Sequence, residues 1–190
     1  MKLNLPNKLT VLRLFLVPVF VAVFIIFGGE TWGRIVSAAI FALASFTDFL
    51  DGKIARKYSL ITDFGKFLDP LADKFMVIGA LVSILYAADA GLYRILFFCV
   101  TIIVIFRELA VTSMRLVVAT SADKVVIAAN WLGKIKTGTQ IAFILVSILE
   151  PIFYGGHIAS YALMLPTAVM TVWSGCSYIV GYWKYLDASK

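Results

Sequence analysis

The sequence predicts an all-α integral membrane protein, built as a bundle of six transmembrane helices with a short N-terminal amphipathic segment. Of its 190 residues, 62% are hydrophobic and 15% are charged, whereas charged residues make up about a quarter of a soluble domain. Apolar runs of about 20 residues, the length that crosses a bilayer as a helix, recur along the chain. No linker or low-complexity tract separates them, so we expect a single domain over residues 1–190.

Each predicted helix is an apolar run that ends at a stretch of helix-breaking residues. The first run resembles a secretory signal peptide, but it is long and lacks a clear small-x-small cleavage site, so we interpret it as a retained span. The stretches between the runs are FGGETWG, KYSLITDFG, AADAG, ATSAD and EPIFYGG, which are rich in turn-forming residues. The six helices are predicted at residues 9–28, 32–56, 66–88, 92–119, 125–149 and 156–183.

The basic residues predict the orientation of the bundle. A net charge of +6 is also found in nucleic-acid-binding proteins, but here the basic residues flank the spans, so we expect no nucleic-acid partner. If both termini are cytoplasmic, fifteen of the basic residues lie on the cytoplasmic side or in the nearer half of a span, and only Arg34 and Arg94 remain for the other face. This asymmetry predicts that both termini are cytoplasmic.

Five aspartates fall within residues 48–74, between two apolar runs. Asp48 and Asp51 are spaced i, i+3, and Asp69 and Asp73 are spaced i, i+4, so each pair lies on one face of a helix. If the second and third helices pack as an antiparallel hairpin, the two pairs converge at the cytoplasmic face. Converging carboxylates repel one another, and a hard divalent cation such as Mg²⁺, Mn²⁺ or Ca²⁺ would relieve that repulsion.

Small and basic residues lie between the two pairs of aspartates. Gly52, Ala55 and Gly65 would let a helix or a ligand approach closely, although glycine also ends helices. Arg56 offers a cation where a phosphate could bind, or it serves as a topology signal. Thr62 is placed to cap the third helix.

Two basic residues, Arg107 and Lys134, fall inside predicted spans at similar depth. Charges within spans are costly and usually face a wet cavity or a partner. We therefore expect a polar cavity that both residues share. Two alternatives stay open: these helices project into the cytosol, or Arg107 pairs with Glu108 or another acid.

The stretch from Asp48 to Asp73 has the form D-x2-D-G-x2-A-R-x8-G-x3-D-x3-D. This pattern resembles the signature of the CDP-alcohol phosphatidyltransferase family, and all eight motif positions are present at the family's spacing. The family is similar in its six transmembrane helices. The resemblance implies an enzyme that transfers the phosphatidyl group of CDP-diacylglycerol to an alcohol and releases CMP.

The resemblance also implies roles for individual residues. Asp48, Asp51 and Asp69 would bind two ions, Mg²⁺ or Mn²⁺. Asp73 would act as general base and also contact a metal. The residues implied in binding the CDP-lipid are Gly52, Ala55, Arg56 and Gly65, with Asn7 and Thr10 of the N-terminal segment LPNKLTVLR and Thr62 as further candidates. For these last three, helix capping is the alternative role.

The resemblance further implies a homodimer in the cell membrane, with membrane lipid around it and the active site at the cytoplasmic face. The site must accept a lipid from the bilayer and a polar alcohol from the cytosol, and a cavity at the cytoplasmic leaflet serves both. Loss of CMP leaves negative charge on phosphoryl oxygens, which divalent metals offset, and a carboxylate can take the proton of the attacking hydroxyl.

Basic residues in the second half of the chain indicate the acceptor. FRELAVTSMR contains Arg107 and Arg115, and WLGKIKTGTQ contains Lys134 and Lys136. An acceptor that carries its own phosphate needs such cations. These patterns, together with LPNKLTVLR, resemble the bacterial phosphatidylglycerophosphate synthases, which implies sn-glycerol 3-phosphate as the acceptor.

Other functions remain open at the level of sequence. Within the same family, the acceptor could be inositol phosphate, serine, or phosphatidylglycerol as in cardiolipin synthesis. From a different class, intramembrane carboxylates also mark ion paths, so a divalent-ion transporter is an alternative. Against transport, the acids cluster at one face, and the predicted first and sixth helices carry no charge at mid-depth. A purely structural membrane protein would gain nothing from four converging aspartates.

Overall fold

The computed structural model describes residues 4–58, 63–120 and 131–183. These residues form α-helices and no strand, which confirms the predicted all-α class and its six helices. The helices are α1 (Leu5–Phe27), α2 (Thr31–Tyr58), α3 (Asp63–Ala87), α4 (Leu92–Thr120), α5 (Trp131–Phe153) and α6 (Ile158–Trp183).

Five of the helices are long and apolar enough to cross a membrane, as judged over the described residues: α1, α3, α4, α5 and α6. Large apolar side chains such as Phe15, Phe106 and Leu165 are about 70% exposed on the outer surface, where lipid rather than water would surround them. The chain is therefore a multi-pass membrane protein. The orientation of the bundle and a sixth span at α2 stay predictions.

Among the described residues, two helix boundaries differ from the prediction by four residues, and the others by three or fewer. The segment at residues 5–13 is not a separate element but the first part of α1, where a proline in the first turn costs no hydrogen bond. At the other difference, α5 continues through Pro151 to Phe153 instead of ending at residue 149. Proline is tolerated inside membrane helices when neighbouring groups satisfy the backbone, and Arg34 Nη1 donates to the nearby carbonyl of Ile148 at 3.2 Å. The predicted residues 125–130 of this helix lie outside the described residues.

Helix α1 packs against α2 and α3, while α5 packs against α2 and α6, and α4 against α3 and α6. The core contains aromatic side chains from four of these helices. Phe20 of α1 lies 6.0 Å from Phe41 of α2, and Phe97 of α4 lies 5.1 Å from Phe143 of α5, measured between ring centroids. This apolar core positions the polar ends of α1 to α5 against one another.

Candidate active site

A cleft between α2, α3, α4 and α5 is lined by charged side chains from each of these helices. Asp48 comes from α2, Asp73 from α3, Glu108 from α4 and Lys136 from α5. Electrostatically, Asp73 interacts with the carboxylates of Asp48 and Glu108 and with Lys136. The cleft therefore places one member of each predicted aspartate pair, Asp48 and Asp73, and one of the predicted cations, Lys136, around one space.

The first helix contributes contacts to both aspartate pairs. Thr10 Oγ1 donates a 2.5 Å hydrogen bond to Asp69 Oδ1. The guanidinium of Arg13 lies within an ion-pair distance of 2.8 Å from Asp48 Oδ1, and its side chain is fully buried. Asn7 is buried one turn before Thr10. Thr10 and Arg13 thus adjoin the aspartates, while the binding of the CDP-lipid by Asn7 and Thr10 stays a prediction.

The donor set of the cleft suits a hard divalent ion, because carboxylate oxygens are the ligands that Mg²⁺ and Mn²⁺ prefer. Asp48 and Asp73 share the cleft, and the side chain of Asp48 is 40% exposed toward solvent. Within the described side chains, no three acids or thiols come close enough together to hold an ion. Asp51 lies on α2 with its side chain outside the described part, so the four-aspartate metal site stays a prediction.

Several other predicted residues fall in the same incompletely described region. Gly52, Ala55 and Arg56 belong to α2, but their side-chain surroundings lie outside the description. Thr62 lies outside the described residues. Gly65 is buried in the first turn of α3, ahead of Asp69 and Asp73.

Arg107 adjoins the cleft and is held by groups on α4 and α6. Its Nη1 donates to Glu108 Oε1 at 3.2 Å, and its Nη2 donates to Ser174 Oγ at 2.6 Å. Lys136 Nζ donates to the same Glu108 oxygen, and Lys136 is only 5% exposed. The pairing of Arg107 with Glu108, left open by the sequence, is therefore present. Lys136 lines the cleft, and Arg107 adjoins it through their shared partner Glu108.

Arg115 belongs to the same group of cations through Tyr178. Arg115 Nη2 donates to the Tyr178 hydroxyl at 2.8 Å, and the guanidinium carbons of Arg115 and Arg107 lie 4.8 and 5.5 Å from the centre of the Tyr178 ring. Such distances favour cation–π attraction. Lys134 is different, because it is exposed and lies 5.7 Å from the ring centre of Trp131. The lysine that lines the cleft is thus Lys136 rather than Lys134.

Sequence reasoning missed three residues of this arrangement: Arg13, Ser174 and Tyr178. Arg13 carried a usable signal, because it follows Asn7 and Thr10 at three-residue spacing and so lies on the same face of α1. Ser174 and Tyr178 carried none, since they lie more than 60 residues from their arginine partners. Only the packing of α4 against α6 brings these groups together.

Comparison with known proteins places this arrangement among phospholipid-synthesising enzymes. The profile of the CDP-alcohol phosphatidyltransferases matches residues 3–173. A relative from Bacillus subtilis (strain 168), named CDP-diacylglycerol--glycerol-3-phosphate 3-phosphatidyltransferase, is 40% identical over 98% of this chain and 99% of its own length. A protein of the same name from Yersinia enterocolitica is 38% identical over 98% of both chains.

Proposed function

Because this chain belongs to the CDP-alcohol phosphatidyltransferase family, we propose that it transfers the phosphatidyl group of CDP-diacylglycerol to sn-glycerol 3-phosphate. The products are phosphatidylglycerophosphate and CMP. One observation carries the proposal: a single cleft has the motif aspartates Asp48 and Asp73 on one wall and Lys136 on another. Relatives that align over nearly the whole chain bear the name of this reaction, which supports the choice of acceptor.

Members of the family are generally dependent on divalent metal ions. We assign two ions, Mg²⁺ or Mn²⁺, to Asp48, Asp51, Asp69 and Asp73, whose carboxylates match the oxygen ligands that these ions prefer. Bound there, the ions would offset the negative charge of the diphosphate and of the phosphoryl oxygens as CMP leaves. The lipid's nucleotide is assigned to the adjoining residues of the motif and of α1, namely Gly52, Ala55, Arg56, Thr62, Gly65, Asn7 and Thr10.

Asp73 is the proposed general base. Its carboxylate lines the cleft together with Asp48, Glu108 and Lys136 and interacts electrostatically with all three. An acceptor bound against the cations would bring its hydroxyl toward Asp73. Asp73 takes the hydroxyl proton as the oxygen attacks the lipid-side phosphorus, and the bond between that phosphorus and the oxygen of CMP breaks.

The acceptor phosphate is assigned to Arg107, Arg115 and Lys136, with the exposed Lys134 as an outer contact. Arg107 and Lys136 meet at Glu108, and Arg107 and Arg115 meet at Tyr178. Arginine and lysine in a partly buried site form charge-assisted hydrogen bonds with phosphate oxygens. A phosphorylated acceptor would satisfy this group of cations, whereas an uncharged alcohol would not.

We place the enzyme in the cell membrane as a homodimer, with the cleft at the cytoplasmic face. The basic residues support the orientation, because the described cleft is lined by Lys74 and Lys136, which the charge asymmetry assigns to the cytoplasmic half.

A panel of acceptors tests the proposed function. The purified chain in detergent is supplied with CDP-diacylglycerol, Mn²⁺ and one alcohol at a time, and CMP release is measured. We expect sn-glycerol 3-phosphate to be the best acceptor and plain glycerol to be very poor. Faster release with serine, inositol phosphate or phosphatidylglycerol would assign another acceptor, and flux of Mn²⁺ into proteoliposomes without CMP release would indicate a transporter.

A further inference from the structure

The first helix touches both of the helices that carry the motif aspartates. Asn7, Thr10 and Arg13 follow one another at three-residue spacing, so they share one face of α1, and all three are buried. From this face Thr10 contacts Asp69 on α3 and Arg13 contacts Asp48 on α2. A single helix therefore fixes one carboxylate from each aspartate pair.

We propose that Thr10 and Arg13 are positioning residues for the metal ligands. Each holds the Oδ1 atom of its aspartate, which restricts the rotation of the carboxylate that would bind the ion. The inference rests on the proposed function, because it takes Asp48 and Asp69 as metal ligands. It changes the role expected for Thr10, from contact with the nucleotide to orientation of a carboxylate.

The surroundings of Thr10 favour this role over substrate binding. Thr10 is 1% exposed, so a nucleotide would have little access to its hydroxyl. Its one hydroxyl proton is donated to Asp69 over 2.5 Å, a distance typical of a strong hydrogen bond to an ionised carboxylate. The hydroxyl thus restricts the rotation of Asp69.

Arg13 holds Asp48 in a similar way and adds charge. Its side chain is fully buried at 2.8 Å from Asp48 Oδ1, and it also interacts electrostatically with Asp73. Its positive charge lowers the repulsion between these carboxylates before any ion binds. The same charge repels a bound cation. A substitution of Arg13 must therefore keep the positive charge, so that a change in ion binding reports the contact with Asp48 and not the loss of charge.

Substitution of Thr10 tests the inference without altering charge. We expect Thr10→Val in the full chain to bind Mn²⁺ about 10- to 100-fold more weakly, as measured by electron paramagnetic resonance of free Mn²⁺, because loss of a group that orients a metal ligand typically costs this much. Thr10→Ser keeps the hydroxyl and should bind nearly as the unmodified chain does. Thr101→Val is the matched control, since Thr101 is also 1% exposed but lies on α4.

Arg13→Lys gives a second, charge-conserving test. Lysine places its nitrogen about one bond length, roughly 1.3 Å, short of the position of the arginine Nη atoms, so the contact with Asp48 would lengthen. We expect Mn²⁺ binding to weaken about tenfold or more. Thermal unfolding without metal, compared with that of the unmodified chain, shows whether each variant is folded.

The outcomes separate this inference from the proposed function. If the unmodified chain binds Mn²⁺ and Asp69→Asn abolishes binding, but Thr10→Val and Arg13→Lys bind normally, the positioning role is wrong and the metal site stands. If Thr10→Val raised the KM for CDP-diacylglycerol at unchanged Mn²⁺ affinity, Thr10 would be a nucleotide-binding residue and not a positioning residue. If the unmodified chain binds no Mn²⁺, the metal-dependent function and this inference fail together.

Discussion

Asp73 is the proposed general base, and it lines the cleft together with Asp48, Glu108 and Lys136. If the lipid phosphorus is bound near the aspartates and the acceptor near Lys136, the carboxylate of Asp73 would lie close to both substrates. A base must lie within hydrogen-bond reach of the proton that it removes, and this location allows that.

We predict that Asp73→Asn lowers kcat for CMP release by about 10²- to 10⁴-fold, the usual contribution of a general base. Asparagine has nearly the same shape but cannot accept the proton, so the KM for CDP-diacylglycerol should change little. Steady-state kinetics with varied lipid and saturating acceptor measures both quantities. If lipid binding weakened as steeply as turnover fell, Asp73 would be a metal ligand or a structural residue instead.

At the cations, we predict that Lys136→Ala or Arg107→Ala raises the KM for sn-glycerol 3-phosphate by one to two decades. A charge-assisted hydrogen bond contributes roughly 1.5–3 kcal/mol, and each 1.4 kcal/mol changes affinity about tenfold. The KM for CDP-diacylglycerol should move much less. Lys134→Ala should have a smaller effect than Lys136→Ala, because Lys134 is exposed and Lys136 is buried.

Arg94→Ala is the control for these variants, since it removes an exposed cation from α4 outside the cleft. An unchanged KM for sn-glycerol 3-phosphate in both the Lys136 and the Arg107 variants would show that these residues are topology signals. The acceptor would then have to be sought among unphosphorylated alcohols.

At the scale of helices, the junction between α5 and α6 depends on Glu150. This side chain is 4% exposed and accepts hydrogen bonds from the backbone N–H groups of Ala159 at 2.6 Å and of Ser160 at 2.8 Å, and from the Ser160 hydroxyl. A carboxylate at a helix N-terminus satisfies N–H groups that lack partners within the helix and is favoured by the helix dipole. The continuation of α5 past Pro151 belongs to the same junction.

We predict that Glu150→Ala lowers the free energy of unfolding by about 1–3 kcal/mol, because it leaves buried N–H groups at the start of α6 without their acceptor. The midpoint of thermal unfolding in detergent measures the effect. Glu30→Ala is the matched control, since Glu30 is an exposed acid before α2. Equal midpoints for the two variants would show that water or another group replaces the Glu150 cap.

The helices were predictable from sequence to within a few residues at most ends, because apolar periodicity and turn residues are local signals. Both larger differences involve a proline. The start of α1 was placed four residues late, since a proline in the first turn is compatible with a helix. The end of α5 was placed four residues early, because a proline such as Pro151 usually ends a helix. Whether a membrane helix continues through a proline depends on groups of the neighbouring helices.

The site was predictable only in part, for a similar reason. The motif aspartates could be identified from their fixed spacing, and Arg107 could be identified because it is a charged residue inside an apolar span. The contacts of Thr10 with Asp69, and of Arg107 with Ser174, join residues 59 and 67 positions apart. Such pairs depend on which helix faces pack together, and a local sequence pattern does not predict this packing. The difference between Lys134 and Lys136 also depends on packing. Side chains two positions apart on a helix point in nearly opposite directions, and only the packing decides which of them faces the cleft.

For the molecule as a whole, the distribution of basic residues predicts that both termini are cytoplasmic. Cytoplasmic loops carry an excess of lysine and arginine, and only Arg34 and Arg94 are left for the opposite face. We expect a reporter that fluoresces only in the cytoplasm to be active when fused after Lys190, and a phosphatase that is active only outside it to be inactive there. The reverse pattern would place the cleft on the outer side, away from a cytosolic acceptor.

The most direct test of the account follows both products of the reaction at once. The purified chain is given CDP-diacylglycerol, Mn²⁺ and sn-glycerol 3-phosphate with a radioactive label, and the label in lipid is measured alongside CMP. We predict equimolar CMP and labelled phosphatidylglycerophosphate, loss of both in EDTA, and recovery with Mg²⁺ or Mn²⁺. CMP release without label in lipid, or full activity in EDTA, would contradict a metal-dependent transfer of the phosphatidyl group to this acceptor.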